Sequence, residues 1–238
     1  MTVYTRMKNL LLLFLLLLSI PFILNLYHGY LKPVSDDKID IINCDRLSHM
    51  LKPYIGDMIQ VIENHGKFLS TKNNFNKSEG FKIVRSDIKP HLPNVFEIID
   101  EYVKNIKVDG MKMANCDTEK YCWFLRLYNR DGHFLDWHYD NNFTSGLRYT
   151  YVCNIYVSDN NESQFLVKND TNKMRVINNT SGQGVFYNGS EVKHAISKQN
   201  KNATRIALVV PFYEHDKLTY IGRWRKWARD IIYSTLKL

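Results

Sequence analysis

After Cys116 the chain stops reading in helical periods. It breaks into short aromatic and β-branched runs separated by Asn, Asp and Gly: CWFLRLYN, HFLDWHY, LRYTYVCNIYV, SQFLVK, MRVIN, GVFYN, KHAISK and TRIALVVPFY. Runs of this length with turn residues between them read as strands. The arrangement they predict is a double-stranded β-helix, or jelly roll, which offers a mouth for a ligand. Two helices precede them. Apolar residues recur at helical spacing from residue 44 to about 69 (Leu47, Leu51, Ile55, Met58, Ile59, Ile62), with Asp45 at the start, Gly66 at the end and Pro53 arguing for a break. A second helix is predicted over 92–107, with Val95, Ile98, Ile99, Tyr102 and Val103 on its apolar face. The class is therefore mainly β with supporting helices (α+β), the helices bracing the barrel.

With 238 residues the chain is long enough for one core-bearing domain and an appendage. Its 15 Tyr and 12 Phe argue for a packed body rather than a disordered one. A formal charge of +8 is modest and dispersed, which suits a mixed-charge surface with a basic tail; no nucleic-acid partner is expected. The first 30 residues differ from the rest. Arg6 and Lys8 precede LLLLFLLLLSIPFILNL, an uncharged run over 10–26. At about 1.5 Å per residue it just spans a hydrocarbon core of about 30 Å. An N-terminal transmembrane anchor is expected over 1–30, with a cleaved secretory signal and a buried core helix as the alternatives. Flanking Lys and Arg are balanced, so they do not set the orientation.

Eight N-x-S/T sequons (Asn76, Asn142, Asn161, Asn169, Asn178, Asn179, Asn188, Asn202) and an even cysteine count favour a lumenal domain. The expectation is thus a type II single-pass protein of the endoplasmic reticulum or secretory pathway. Of the cysteines, Cys116 and Cys122 are the most plausible pair. The remaining divisions are a polar stalk over 31–43, the main domain over 44–215, and a basic amphipathic helix over 216–238. In that last stretch Trp224, Trp227 and Ile231 fall at helical spacing beside Arg223, Lys226 and Arg229. It suits either a membrane surface or the flank of the barrel.

The chemistry rests on WHYDNN. On a strand, residues i and i+2 face the same way, so His138 and Asp140 can reach one metal from one strand end. His194, in EVKHAISK, lies 54 residues beyond Asp140 at the start of another predicted strand. Two histidines and a carboxylate form a facial triad that leaves positions open on non-haem Fe(II). Alone, H-x-D is usually a pair of surface residues. Arg205 adds weight: it follows His194 by 11 residues and opens an apolar strand, sharing a face with Ala207 and Val209. A buried arginine needs an anion, and its fork suits a carboxylate; an internal salt bridge to Asp or Glu is the bland alternative.

These pieces (FLRLYNRDGHFLDWHYDNN, YVCNIYVSD, GQGVFYNGSEVKHAIS and ATRIALVVPFY) resemble the Fe(II)/2-oxoglutarate-dependent oxygenases, and within them the prolyl 4-hydroxylase-like group. The resemblance covers residues 122–213. It implies that His138, Asp140 and His194 ligate Fe(2+) and that Arg205 binds the distal carboxylate of 2-oxoglutarate. It also implies that Tyr128 contacts that cosubstrate and that Tyr156 is a second pocket tyrosine; core packing is the alternative for both. It further implies O2 as co-reactant and ascorbate as a common support. His133, on the opposite face from His138, reads as structural. In place of the Gly-Gly-acid-Thr segment of many members the chain has NNESQFLV, so the likeness is one of fold and cofactor and does not establish proline as substrate. The expected activity is hydroxylation of a peptidyl prolyl or lysyl residue, with release of succinate and CO2. The alternatives are the same chemistry on a sugar, lipid or small molecule, and a non-catalytic binding module.

Overall fold

The computed structural model describes residues 39–70, 78–108, 111–113, 116, 122–140, 149–168, 173–189 and 192–214. The expected anchor and the basic C-terminal stretch lie outside them. Among the described residues no helix is long and apolar enough to cross a membrane.

The first predicted helix is split where Pro53 removes a backbone donor. Helix α1 (Asp45–Leu51) passes through a 3-10 turn, Lys52–Tyr54, into α2 (Ile55–His65), which ends at Gly66. A short α3 (Arg85–Ile88) precedes α4 (Pro93–Lys104), the second predicted helix, which begins at its proline. All eight predicted strands are present: β5 (Phe124–Tyr128), β6 (Phe134–His138), β7 (Tyr149–Val157), β8 (Gln164–Lys168), β9 (Met174–Asn178), β10 (Gln183–Asn188), β11 (Lys193–Ile196) and β12 (Arg205–Glu214). Four earlier strands join them: β1 (Ile39–Asn43), β2 (Lys67–Leu69), β3 (Ser78–Val84) and β4 (Met111–Met113). β1 pairs with β10, so the expected stalk already belongs to the sheet from residue 39.

Every strand pairing is antiparallel, and the order β1-β10-β7-β12-β5-β3-β6-β11-β8-β9 curls into a half-barrel of the jelly-roll kind. The corner is β3, whose residues 81–84 pair with β5 while Ser78 and Glu79 pair with β6. Gly80 sits at the change of partner with φ +151°, and a Cβ there would stand 3.1 Å from the Leu127 carbonyl oxygen. Glycine lets the chain turn the corner against β5.

Strand β12 divides the core by alternation. Ile206, Leu208, Val210 and Phe212 face the helices, in a cluster with Leu47, Met58, Ile99 and Trp123. Ala207 and Val209 face inward, among Val152, Phe165, Val167 and Val185. Each fully buried aliphatic side chain stabilises the fold by about 1.5–3 kcal/mol relative to exposure. Two disulfides tie the layers: Cys116–Cys122, and Cys44–Cys153, which joins the start of α1 to β7 across 109 residues.

Helix α4 is pinned to the sheet by a buried carboxylate. Asp100 accepts from Arg85 Nε (2.7 Å), Arg85 Nη2 (3.1 Å) and Trp123 Nε1 (3.2 Å), and pairs with Lys104 Nζ at 2.9 Å. Burial pushes its carboxyl up, but Arg85, Lys104 and the Trp123 indole N–H outweigh burial and bring it down to about 2 from 3.8. A carboxylate with a depressed folded pKa stabilises above its unfolded pKa and loses that contribution as pH falls through the folded one. The gap corresponds to about 2 kcal/mol. Urea unfolding at pH 5 and pH 2 should therefore show a smaller acid loss for Asp100→Asn than for wild type, by about that amount, with Asp100→Asn already weaker at pH 5.

Candidate metal centre

Strands β6 and β11 run antiparallel with His194 directly opposite His138. Asp140 follows two residues after His138, its backbone N–H donating to the Gly189 carbonyl at 2.7 Å. The donor atoms of the three side chains all lie within 4.8 Å of one another. Asp140 Oδ1 stands 3.6 Å from His138 Nε2 and 3.5 Å from His194 Nε2.

The ring orientations suit a cation. His138 Nδ1 lies 2.7 Å from the Asp136 carbonyl and His194 Nδ1 lies 3.0 Å from the Val192 carbonyl. A carbonyl only accepts, so each Nδ1 donates to it and each Nε2 is left facing Asp140. Backbone acceptors of this kind commonly orient metal-ligating histidines. Thr150 Oγ1 donates to Asp140 Oδ2, leaving Oδ1 to face the imidazoles. Burial pushes the Asp140 carboxyl up, but the two imidazoles outweigh it and hold it well below the usual carboxylate range. A Cβ on Gly189 would come within 2.4 Å of Asp140 Oδ2, so only glycine lets the end of β10 pass this close. The donor set, two imidazoles and one carboxylate, fits Fe(II).

Arg205 opens β12 opposite Tyr128 of β5 and is 2 % exposed. Its guanidinium carbon lies 5.5 Å from the centre of the Tyr128 ring, and its Nε donates to Asn154 Oδ1 at 2.8 Å. Among the described residues no carboxylate pairs with it. Burial pulls its pKa down, opposed by Tyr128 and Tyr187. It lines a narrow cavity with Val152, Asn154, Phe165, Ile177 and Val185, the inner face of the barrel.

Tyr128 is thus brought to Arg205, but Tyr156 is not. The β7–β12 ladder shifts register between Ile206 and Ala207, so Tyr156 pairs with Ile206 and packs on the helix-side core. Asn154, two residues earlier, reaches Arg205 instead. His133 is buried between Phe68 and Phe81, ring centres 5.9 and 6.0 Å away, in a packing role as expected. Thr150, Asn154 and Tyr187 went unnoticed in the sequence. Tyr187 is buried, and its hydroxyl lies 3.0 Å from His194 Nε2. Its only signal was an aromatic residue seven positions before His194, in a run that reads equally as core.

Solved structures share this fold. A prolyl hydroxylase from Trichoplax adhaerens, in complex with a hypoxia inducible factor oxygen degradation domain peptide fragment, aligns with a TM-score of 0.50 at 12% identity, covering 76% of this chain and 86% of that one. The non-haem α-ketoglutarate-dependent epimerase SnoN of nogalamycin biosynthesis aligns with a TM-score of 0.55 at 6% identity, covering 75% and 77%. No protein-family model matches the sequence, and neither does any curated protein.

Proposed function

We propose that the chain is an Fe(II)/2-oxoglutarate-dependent dioxygenase that hydroxylates a peptidyl prolyl or lysyl residue. The observation that carries this is Arg205: a fully buried cation with no carboxylate partner among the described residues, inside the barrel that presents His138, Asp140 and His194. A buried cation left unpaired is costly, and a cosubstrate dianion removes the cost when bound. A mere binding module has no use for this cation together with the triad. The fold shared with an α-ketoglutarate-dependent epimerase and a prolyl hydroxylase supports the reading.

His138, Asp140 and His194 would hold Fe(II), which when bound would supply the redox chemistry coupling O2 reduction to decarboxylation of 2-oxoglutarate, with succinate, CO2 and a hydroxylated substrate as products. The residues do the rest. Asp140 neutralises part of the metal charge, and the two imidazoles, fixed through Nδ1, hold the triad's geometry. Arg205 takes the distal carboxylate of 2-oxoglutarate through its free guanidinium nitrogens, while Asn154 fixes its Nε and the Tyr128 ring flanks it. Val152, Phe165 and Val185 exclude water around that pair, which strengthens it. Tyr139, exposed beside the site, favours an extended peptide over an enclosed small molecule. Succinate release from 2-oxoglutarate, with Pro- and Lys-containing peptides set against free small molecules, tests the activity and its substrate.

The run over 10–26 is proposed as the anchor, with the domain lumenal. Both disulfides suit an oxidising compartment. Asn179 and Asn188 are buried in the folded domain and unfit to carry a glycan, whereas Asn178 and Asn202 are exposed. Alkaline carbonate should therefore leave the protein in the membrane fraction, and glycosidase should shift its mass. A soluble, unglycosylated protein contradicts both.

A further inference from the structure

The smaller layer of the barrel, β6, β11, β8 and β9, carries a cationic outer face that the metal centre does not use. That face holds Lys168 and Lys193, and the one acid on these strands, Asp136, has an Oδ1 that already accepts the Trp137 backbone N–H at 2.8 Å. Lys193 precedes His194 and Trp137 precedes His138, so alternation turns both outward where the ligands turn inward. Lys168 is directly opposite Lys193 in the β8–β11 ladder. Like charges opposed on one face of a sheet are destabilising. Neither has a carboxylate partner among the described residues; Lys168 Nζ rests on the Trp137 ring, 4.5 Å from its centre. Exposed apolar side chains border the pair: Tyr139 on one side and Met174, opposite Lys168 in β9, on the other, 40% and 53% exposed.

We infer that this rim, Lys168 and Lys193 framed by Trp137, Tyr139 and Met174, docks an acidic polypeptide segment, and that the substrate therefore carries Asp or Glu near the hydroxylated residue. The second clause rests on the oxygenase reading; the docking face does not. An anion relieves the opposed lysines, and the flanking rings cover the backbone and apolar atoms of an extended segment. The position fits a substrate, since Trp137, Tyr139 and Lys193 each adjoin a metal ligand in sequence. An anionic lipid surface is the competing partner. In the lumenal reading, which the two disulfides suit, the domain lies away from the cytoplasmic leaflet, where anionic lipid is concentrated.

Fluorescence anisotropy of the full chain in neutral detergent tests the inference, with short labelled peptides: one Glu-rich, one with Gln at each Glu, one Lys-rich. The Glu-rich peptide should bind, the other two should not, and high salt should weaken binding. Lys168→Gln/Lys193→Gln should weaken it by about tenfold. Co(II) uptake, read from its visible absorption, should be unchanged in that variant, which shows the site next door intact. Equal binding of the Glu and Gln peptides overturns the inference, as does a double variant that binds like wild type. Tighter, lysine-dependent binding to phosphatidylserine vesicles than to the Glu peptide overturns it in favour of lipid. Glu-peptide binding by a wild-type chain that takes up no Co(II) supports the docking face and refutes the oxygenase reading.

Discussion

Alanine at His138, Asp140 or His194 is expected to abolish turnover and to weaken metal uptake by more than about a hundredfold, because losing even an outer-shell partner of a metal ligand costs about 10- to 100-fold. The three positions should fail for different reasons. His138→Ala and His194→Ala each remove one of the ring nitrogens that stand 3.6 and 3.5 Å from Asp140 Oδ1. Asp140→Ala removes the carboxylate itself, and with it the charge that partly neutralises the metal. It also leaves the Thr150 hydroxyl without its acceptor. All three variants should stay folded, since the strand pairing of β6 and β11 and the barrel's apolar interior do not depend on these side chains. Circular-dichroism melts check the fold and Co(II) titration checks the site. Near-normal 2-oxoglutarate decarboxylation by either His138→Ala or Asp140→Ala contradicts the assignment.

Arg205→Ala should act on the cosubstrate and spare the metal. Removing one partner of a buried, hydrogen-bonded ion pair costs about 3–5 kcal/mol. At about 1.4 kcal/mol per decade, the 2-oxoglutarate requirement should rise by about two to three decades. Arg205→Lys should be milder, because a charge remains while the two-pronged geometry is lost. A purely structural arginine makes a different prediction: a lower melting temperature with unchanged dependence on 2-oxoglutarate. The structure already disfavours that role, since the only hydrogen bond of the Arg205 guanidinium among the described residues is to a neutral amide, Asn154. Titrating 2-oxoglutarate against wild type and both variants, alongside thermal melts, separates the two.

The parts of this site that were legible in the sequence follow strand periodicity. His138 and Asp140 share a face because they are two apart, and Arg205, Ala207 and Val209 share one for the same reason. Tyr156, which the resemblance put in the pocket, lies where the β7–β12 ladder shifts by a residue, and a shift of one reverses the face. Nothing local in YVCNIYVSD marks that irregularity. Strands β1 to β4 escaped notice for a related reason. β2 and β4 have only three residues each, too few to show a period. β1 and β3 gain their identity from partners far along the chain, β10 and the pair β5 and β6. Disulfides divide in the same way: Cys116–Cys122 spans 6 residues and was readable from spacing, whereas Cys44–Cys153 spans 109 and depends on tertiary structure. Tyr187 and Thr150 join the site through the β10–β7 ladder, where Tyr187 pairs with Thr150, a contact no motif encodes.

The central claim is that one barrel interior holds a metal with His138, Asp140 and His194 and a 2-oxoglutarate carboxylate with Arg205. The most direct measurement is succinate formed from 2-oxoglutarate by the full chain under air, with and without Fe(II), for wild type and Arg205→Ala at one 2-oxoglutarate concentration that saturates wild type. The account predicts succinate from wild type only when Fe(II) is present, and little from Arg205→Ala despite normal metal uptake. A folded, metal-loaded wild type that releases no succinate, or an Arg205→Ala protein that releases as much as wild type, would contradict it.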